Sequence, residues 1–198
     1  MMAASELDGQ LERLARMHPR LCPRQVLGLR IGRLAGELLE LPIPRDDKRL
    51  LVFAETDGCF ADGVSVATGC WFGRRTMRLV DYGKVAATVA DLESGRVVRI
   101  WPDPRARDLA ERYAPEAPSR WHAQLLGYQV MPTAELLRAE PVTVRGSLSE
   151  IVGVPGIRAD CARCGEEVLN QREMVLNGVA ICRGCAGEPY YDQAGESG

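Results

Sequence analysis

The chain has 198 residues, of which 46% are hydrophobic and 26% are charged, and its formal net charge is −2. This composition can bury the core of one medium domain with a small appendage, and it excludes fibrous, disordered and strongly nucleic-acid-seeking proteins. No apolar stretch follows a basic head at the N-terminus, and no long uncharged apolar run occurs anywhere, so we expect a soluble cytoplasmic protein without membrane segments.

Two helices open the predicted fold. Leucines at helical spacing predict a helix over residues 6–17, and after two prolines a second helix is predicted over residues 23–40. The second helix carries Gly28, Gly32 and Gly36, which weaken it but leave a smooth groove along one side. We expect this groove to pack either on a sheet of the same chain or on a second copy of the chain.

The middle of the chain predicts a sheet with helices around it. Residues 50–54 have the pattern of a buried strand, and residues 60–68 that of a short helix. Alternating apolar and polar residues then predict an antiparallel meander with strands over residues 77–80, 85–91 and 96–101. Two further helices and a last strand are predicted over residues 103–113, 119–128 and 141–144. This mixture of elements predicts an α+β domain.

The seven cysteines are the most informative residues. In a chain without an export signal they indicate metal ligands or reactive thiols rather than disulfides. Four of them form two Cys-x-x-Cys pairs separated by seventeen residues, namely Cys161, Cys164, Cys182 and Cys185. This spacing is a strong signal for zinc held by four thiolates, and because protein fills all four positions the zinc is predicted to be structural. A redox dithiol or an iron site is the alternative.

The cysteine pairs also predict how the chain divides. We predict an α+β domain over residues 1–146, a linker over residues 147–156, a four-cysteine zinc finger over residues 157–189 and a frayed tail over residues 190–198. From residue 157 to the end, the four arginines and seven acidic residues give a net charge of −3. Such a surface repels phosphates, so the finger is predicted to have a structural or protein-docking role rather than to bind nucleic acid.

A second candidate site lies near the N-terminus. Cys22 is predicted to cap the second helix, where the free backbone N–H groups favour a thiolate, and His18 lies just before it. Cys59 follows the first predicted strand, at the end where open sheets often bind ligands. Together His18, Cys22 and Cys59 could hold zinc or another borderline-soft metal, with a fourth position left for water, substrate or Asp62. The alternative is a small buried cysteine beside a core histidine.

Four segments, taken in order, resemble the motifs of the FmdE family of formylmethanofuran dehydrogenase proteins. They are His18-Pro-Arg-Leu-Cys22-Pro, Glu55-Thr-Asp-Gly-Cys59-Phe-Ala-Asp62, Thr68-Gly-Cys70-Trp-Phe-Gly73 and Asp81-Tyr-Gly-Lys84. The four-cysteine module is similar to that of the longer members of the family. The resemblance covers most of residues 12–100 and 158–189.

The resemblance implies a thioredoxin-like mixed sheet flanked by helices, a metal site in that domain, and a small treble-clef-like zinc finger. It also implies a homodimer and an association with molybdenum or tungsten formylmethanofuran dehydrogenase in some members, without a general reaction. The family opens on His-Gly-His-x-Cys-Pro-Gly, whereas this chain has Pro19, Arg20 and Arg24 in place of the first glycine, the second histidine and the last glycine. Arg20 cannot coordinate zinc and disfavours a nearby dication, so the site either binds metal more weakly or has become an anion or redox site.

These observations support one principal hypothesis and two alternatives. The principal one is a zinc-binding accessory protein of the FmdE type, which handles a metal, sulfur or a small ligand for an oxidoreductase system and has a protein partner. The first alternative is a thiol-dependent enzyme or redox protein that uses Cys22 or Cys59. The second is a zinc-finger regulator that binds nucleic acid. Cys70 is predicted to be a packing thiol or a neighbour of the ligands.

Overall fold

The structure is a computed structural model that describes residues 3–192. The chain divides into two compact units, Met1–Val144 and Arg145–Gly198. Residues 193–198 of the predicted frayed tail lie outside the described residues. No helix among residues 3–192 has both the length and the apolar character that a bilayer crossing needs.

The N-terminal unit contains helices and strands in mixed order. Its helices are α1 (Ala3–Met17), α2 (Pro23–Leu39), α3 (Cys59–Thr68), α4 (Ala106–Tyr113), α5 (Arg120–Val130) and α6 (Thr133–Leu136). Its strands are β1 (Leu50–Ala54), β2 (Met77–Leu79), β3 (Ala87–Asp91), β4 (Val97–Pro102) and β5 (Leu137–Pro141). The C-terminal unit contains α7 (Leu148–Val152), β6 (Arg158–Asp160), β7 (Glu167–Leu169), β8 (Met174–Leu176) and β9 (Val179–Ile181).

The five strands of the N-terminal unit form one mixed sheet in the order β2-β1-β3-β4-β5. Strands β1 and β2 are parallel, and every other neighbouring pair is antiparallel. Helices α2 and α3 pack against this sheet, which confirms the predicted α+β class with a mixed sheet flanked by helices. In the C-terminal unit, β6–β7 and β8–β9 form two separate antiparallel hairpins.

The predicted meander is wrong for its first strand. β2 pairs with β1 and not with β3, so β1 lies between the two strands that the sequence suggested were neighbours. Parallel strands need a crossover, usually a helix, and α3 provides it between β1 and β2. The turn at Tyr82-Gly83 therefore connects β2 to β3 across the end of β1, which lies between them. The turn at residues 93–95 does join two antiparallel neighbours, β3 and β4.

The predicted last strand of this sheet begins four residues later than the observed one. The observed strand covers Leu137–Pro141 rather than residues 141–144, and the short helix α6 directly before it was not predicted. Four of its five residues are exposed, because β5 is an edge strand with charged residues and a proline. Such a strand lacks the apolar alternation that identified the others.

The glycines of α2 pack on a neighbouring helix. A Cβ atom at Gly28 would lie 2.3 Å from the Phe60 carbonyl oxygen, and one at Gly32 would lie 2.5 Å from the Ala67 side chain. At Gly28 and Gly32 the groove thus receives α3 of the same chain, and at Gly36 it receives Ile43, rather than the sheet or a second copy of the chain. The close contact of α2 with α3 brings together the two helix N-termini that carry Cys22 and Cys59.

Candidate metal and thiol sites

The C-terminal unit brings its four cysteines together. The sulfur atoms of Cys161, Cys164, Cys182 and Cys185 all lie within 4.8 Å of one another, and those of Cys164 and Cys182 are 3.9 Å apart. A tetrahedral zinc ion with Zn–S bonds of about 2.3 Å requires sulfurs about 3.8 Å apart, so the cluster has the dimensions of a zinc site. Among residues 3–192, no other group of three or more His, Cys, Asp or Glu residues is this compact.

Two equivalent turns build this cluster. The Gly165 N–H donates to the Cys161 carbonyl at 2.8 Å, and the Ala186 N–H donates to the Cys182 carbonyl at 2.9 Å. Gly165 has a φ of 75°, which a side chain would disfavour. The hairpin β8–β9 turns through Asn177-Gly178, both with positive φ, a dipeptide typical of such tight turns.

Backbone N–H groups and neighbouring thiols shift the acidity of the cluster in opposite directions. Hydrogen bonds from the backbone of Cys164 and Cys182 lower the pKa of Cys161 to about 6. The Cys182 thiol, followed by burial, raises the pKa of Cys185 to about 12. A second thiolate beside the first is therefore unfavourable unless a cation neutralises both, which is the role of zinc in such a cluster.

The N-terminal candidate residues come from three helices. His18 follows the last residue of α1, and Cys22 is the N-cap of α2 with Pro23 in the first helical position, as predicted. Cys59 is the first residue of α3, and Asp62 lies in the first turn of that helix. The chain enters α3 through Gly58, whose φ of 68° requires a glycine.

The structure places these residues in one neighbourhood as two pairs. The His18 Nε2 atom lies 2.7 Å from a carboxylate oxygen of Asp62, and both side chains are about one third exposed. The Cys22 thiol contacts Cys59 closely enough to affect its ionisation, and the Asp62 charge also acts on Cys59. His18 thus pairs with Asp62, and Cys22 with Cys59, and the Asp62 charge acts on the second pair.

The acidity of Cys59 reflects this neighbourhood. Burial, followed by the hydrogen bond and charge of Cys22, raises the pKa of Cys59, and the Asp62 charge adds to the effect. The Arg24 guanidinium lowers the pKa but does not outweigh the other causes. Cys59 is therefore held as a neutral thiol at neutral pH, so a bound cation would be needed to favour its thiolate.

One positioning residue of this site was missed in the sequence. The Gln25 side chain is fully buried, and its Oε1 atom accepts a hydrogen bond from the Cys22 N–H at 2.8 Å. This fixes the backbone that carries the Cys22 thiol. A glutamine three residues after a helix cap is a capping-box signal, which was available in the sequence.

Cys70 lies outside both sites. Its side chain is buried, its sulfur lies 3.7 Å from the Leu50 carbonyl oxygen, and burial raises the pKa of the thiol. Gly69, with a φ of 77°, ends α3 and turns the chain away. Cys70 is thus a packing thiol of the core, one of the two roles predicted for it.

Comparisons with known proteins match both units. The family described as "FmdE, Molybdenum formylmethanofuran dehydrogenase operon" matches residues 17–138. A second family, the prokaryotic dksA/traR C4-type zinc finger, matches residues 156–191. The four-cysteine cluster therefore belongs to a zinc-finger type, and its geometry fits structural zinc.

Two individual proteins are similar to this chain. A probable S-adenosyl-L-methionine-binding protein of Archaeoglobus fulgidus is 31% identical over 116 residues, which cover 57% of this chain but only 31% of that protein. The chain thus spans about a third of the length of this relative. A crystal structure of a tungsten formylmethanofuran dehydrogenase FmdE-like protein from Syntrophus aciditrophicus is similar in fold, with a TM-score of 0.59 and 19% identity over 93% of this chain and 94% of that one.

Proposed function

Because the chain belongs to the FmdE family and carries a C4-type zinc finger, we propose that it is a cytoplasmic accessory protein in which the N-terminal thiol site serves an oxidoreductase or a metal- or sulfur-handling system. The finger holds structural zinc through Cys161, Cys164, Cys182 and Cys185. The working site consists of His18, Cys22 and Cys59, with Asp62 beside them.

The His18–Asp62 pair and the neighbouring Cys22–Cys59 pair carry this proposal. Two sulfurs, an imidazole and a carboxylate lie at the junction of α1, α2 and α3, and these are ligand types that suit zinc and related divalent metals. A metal would draw the two pairs together, with His18, Cys22 and Cys59 as protein ligands. It would act as a Lewis acid on a bound ligand or transfer to a partner. The S-adenosyl-L-methionine binding ascribed to the Archaeoglobus relative has no part in this function, because the match covers only 31% of that protein.

Metal analysis of the purified full chain tests the proposal. We expect one tightly held zinc per chain, which Cys161→Ser abolishes, and a second, weaker metal equivalent in added Zn²⁺, which Cys59→Ser abolishes. Cys70→Ala is the matched control, because Cys70 is a cysteine outside both sites, and this variant should retain both metals. A wild-type chain without zinc in the finger would contradict the zinc-binding function, and a second equivalent that survives Cys59→Ser would contradict the N-terminal site.

A thiol-dependent enzyme is the second candidate, and one observation favours it. The His18–Asp62 contact has the form of a general base oriented by a carboxylate, an arrangement that activates a nearby nucleophile. The raised pKa of Cys59 argues against this sulfur as the resting nucleophile. Rapid alkylation of Cys22 at neutral pH, lost in His18→Gln and accompanied by no second metal, would favour the enzyme over the accessory protein.

The family resemblance also suggests a homodimer. The glycine groove of α2 no longer supports it, because α3 and Ile43 fill that groove within the chain. A protein partner agrees better than nucleic acid with the net charge of −3 on residues 157–198. Sedimentation of the zinc-loaded chain measures whether it forms a dimer. An electrophoretic shift assay with duplex DNA and with RNA at physiological salt tests for nucleic-acid binding, and we expect none.

A further inference from the structure

A cleft of about 320 Å³ opens in the N-terminal unit, and none of His18, Cys22 and Cys59 lines it. It lies between α2, the segment before β3, the end of β4 and the helices α4 and α5. Six side chains define its character, namely Leu27, Lys84, Arg99, Trp101, Arg107 and Tyr128. The volume is at the lower end of the range of about 300–1,000 Å³ that is usual for small-molecule sites.

Two carboxylates at the cleft, those of Glu55 and Asp103, are paired with arginines. Arg99 makes two hydrogen bonds to the Glu55 carboxylate, at 2.6 and 2.8 Å. Asp103 is 3% exposed and accepts hydrogen bonds from the Arg105 backbone at 2.8 Å and from the Arg138 side chain at 2.7 Å. Neither carboxylate is therefore available to attract a cation into the cleft, and both are held in fixed positions.

Two cations on the cleft wall are not neutralised. None of the ion pairs formed within residues 3–192 includes Lys84 or Arg107, and both residues are exposed. The Lys84 ammonium lies only against the Tyr82 ring, 5.7 Å from its centre. Among the residues that line the cleft, two positive charges are therefore unpaired and the one carboxylate, that of Asp103, is paired, which favours an anion.

Tyr128 lines the same cleft as these cations. Tyr128 is 2% exposed, and its hydroxyl makes no hydrogen bond to any residue in the described part of the chain. Burial raises the pKa of Tyr128, and the charges of Arg107 and Arg120 offset part of this rise. A protonated hydroxyl without a partner is a donor that a bound anion would satisfy.

The wall also includes an indole and a leucine side chain. The Arg99 guanidinium lies over the Trp101 ring, 4.9 Å from its centre, and Glu55 fixes Arg99 in turn. Leu27 of α2 lines the same cleft and is 6% exposed. An indole held in one orientation offers a flat surface at little entropic cost to a flat ligand.

We propose that this cleft binds a small organic anion with a flat apolar body. Its charged group lies between Lys84 and Arg107 and accepts a hydrogen bond from Tyr128, and its body lies against Trp101 and Leu27. The inference stands on residues that the proposed metal and thiol function does not use, so either can fail without the other.

Titration of the full-length, zinc-loaded, ¹⁵N-labelled chain tests this site, with benzoate as the probe and its neutral isostere benzamide as the comparison. The indole N–H signal of Trp101, identified by its loss in Trp101→Phe, reports binding. We expect a saturable shift with benzoate and about tenfold weaker binding of benzamide, because the hydrogen bonds to a charged group are then lost.

Two variants on the same helix separate the cleft from general charge effects. Arg107→Gln should weaken benzoate binding about tenfold, since it removes one of the two cations. Arg112→Gln removes the same charge from α4 outside the cleft lining and should leave binding unchanged. Both positions are exposed, so the dispersed spectrum of a folded protein should persist in each. Absence of a saturable shift, equal binding of benzamide, or an unchanged affinity in Arg107→Gln would overturn the proposal.

Discussion

Arg49 shows how burial decides how much an ion pair contributes to the stability of the fold. Its guanidinium bonds to two carboxylates, that of Asp91 at 2.7 Å and that of Glu93 at 2.7 Å. The Asp91 side chain is 2% exposed and also accepts a hydrogen bond from the Ser94 hydroxyl, whereas the Glu93 side chain is 68% exposed. The Arg49 guanidinium holds the pKa of Asp91 well below its usual range. The buried contact should therefore carry the stabilisation.

Asp91→Asn is expected to lower the free energy of unfolding by about 2–4 kcal/mol at pH 7, because it removes a buried charge that is paired and hydrogen-bonded. Glu93→Gln, which removes the exposed partner of the same arginine, should change it by less than about 1 kcal/mol. Since the native pKa of Asp91 is depressed, its contribution is complete above the unfolded pKa of about 4 and declines as the pH falls below it. Urea denaturation between pH 3 and pH 7 measures both effects. A difference between wild type and Asp91→Asn that widens on acidification would contradict this assignment.

The N-terminal site shows which features of a single residue can be predicted from the sequence and which cannot. The cap position of Cys22 could be predicted, because a cysteine before a proline at a helix start has a local signature. The contact between His18 and Asp62 could only be suggested, because these residues are 44 positions apart and meet through the packing of α1 on α3. Local patterns predict caps, whereas tertiary packing decides which side chains meet.

At the scale of elements, the contact between α2 and α3 organises the N-terminal unit. Gly28 and Gly63 face each other, and a Cβ atom at Gly63 would lie 2.2 Å from the Gln25 carbonyl oxygen. The helices thus touch through their backbones, which no larger residue permits. The Gln25 backbone lies in this helix contact, and its side chain accepts a hydrogen bond from the Cys22 N–H. The packing of α2 on α3 therefore positions the candidate thiol site.

Gly28→Ala should therefore destabilise the chain although alanine favours helices. The new methyl group would lie 2.3 Å from the Phe60 carbonyl oxygen, so the helices must separate, at a cost of about 1–3 kcal/mol. Gly9→Ala in α1 is the matched control, since nothing lies within 4 Å of its Cβ position and it should stabilise by up to about 1 kcal/mol. Thermal unfolding of the two variants measures the difference. Equal shifts in Tm would show that the helices do not pack this closely.

The sequence predicted most elements but not all of their neighbours. The strand at Leu50–Ala54 was predicted with its observed bounds because its apolar run is buried and ends in a turn. The pairing of β2 with β1 was not predicted, because the alternation of apolar and polar residues along a strand is the same whether its neighbour is parallel or antiparallel. The cleft near Tyr128 could not be predicted either, since its walls come from five separate segments of the N-terminal unit.

At the scale of the whole molecule, the two units differ in what stabilises each of them. The N-terminal unit has an extended apolar core that includes residues of α1, α2, α3 and the sheet. Among the described residues of the C-terminal unit, only Cys161 and Ile181 are buried. A unit with so small a core cannot offset the entropy of folding by apolar burial, so zinc should supply most of its stability.

A chelator should consequently unfold one unit and spare the other. After zinc removal, amide hydrogen exchange in residues 157–189 is expected to become fast, while exchange in the β1–β3–β4 region stays slow, because that core contains no metal ligand. Cys161→Ser should reproduce this pattern without a chelator, whereas Cys70→Ala, which removes a core thiol, should leave the finger protected and increase exchange in the N-terminal unit. Exchange followed by mass spectrometry resolves the two regions in one experiment. A finger that stays protected after complete loss of zinc would show that its hairpins are stable without the metal, and the structural assignment of the four cysteines would then be wrong.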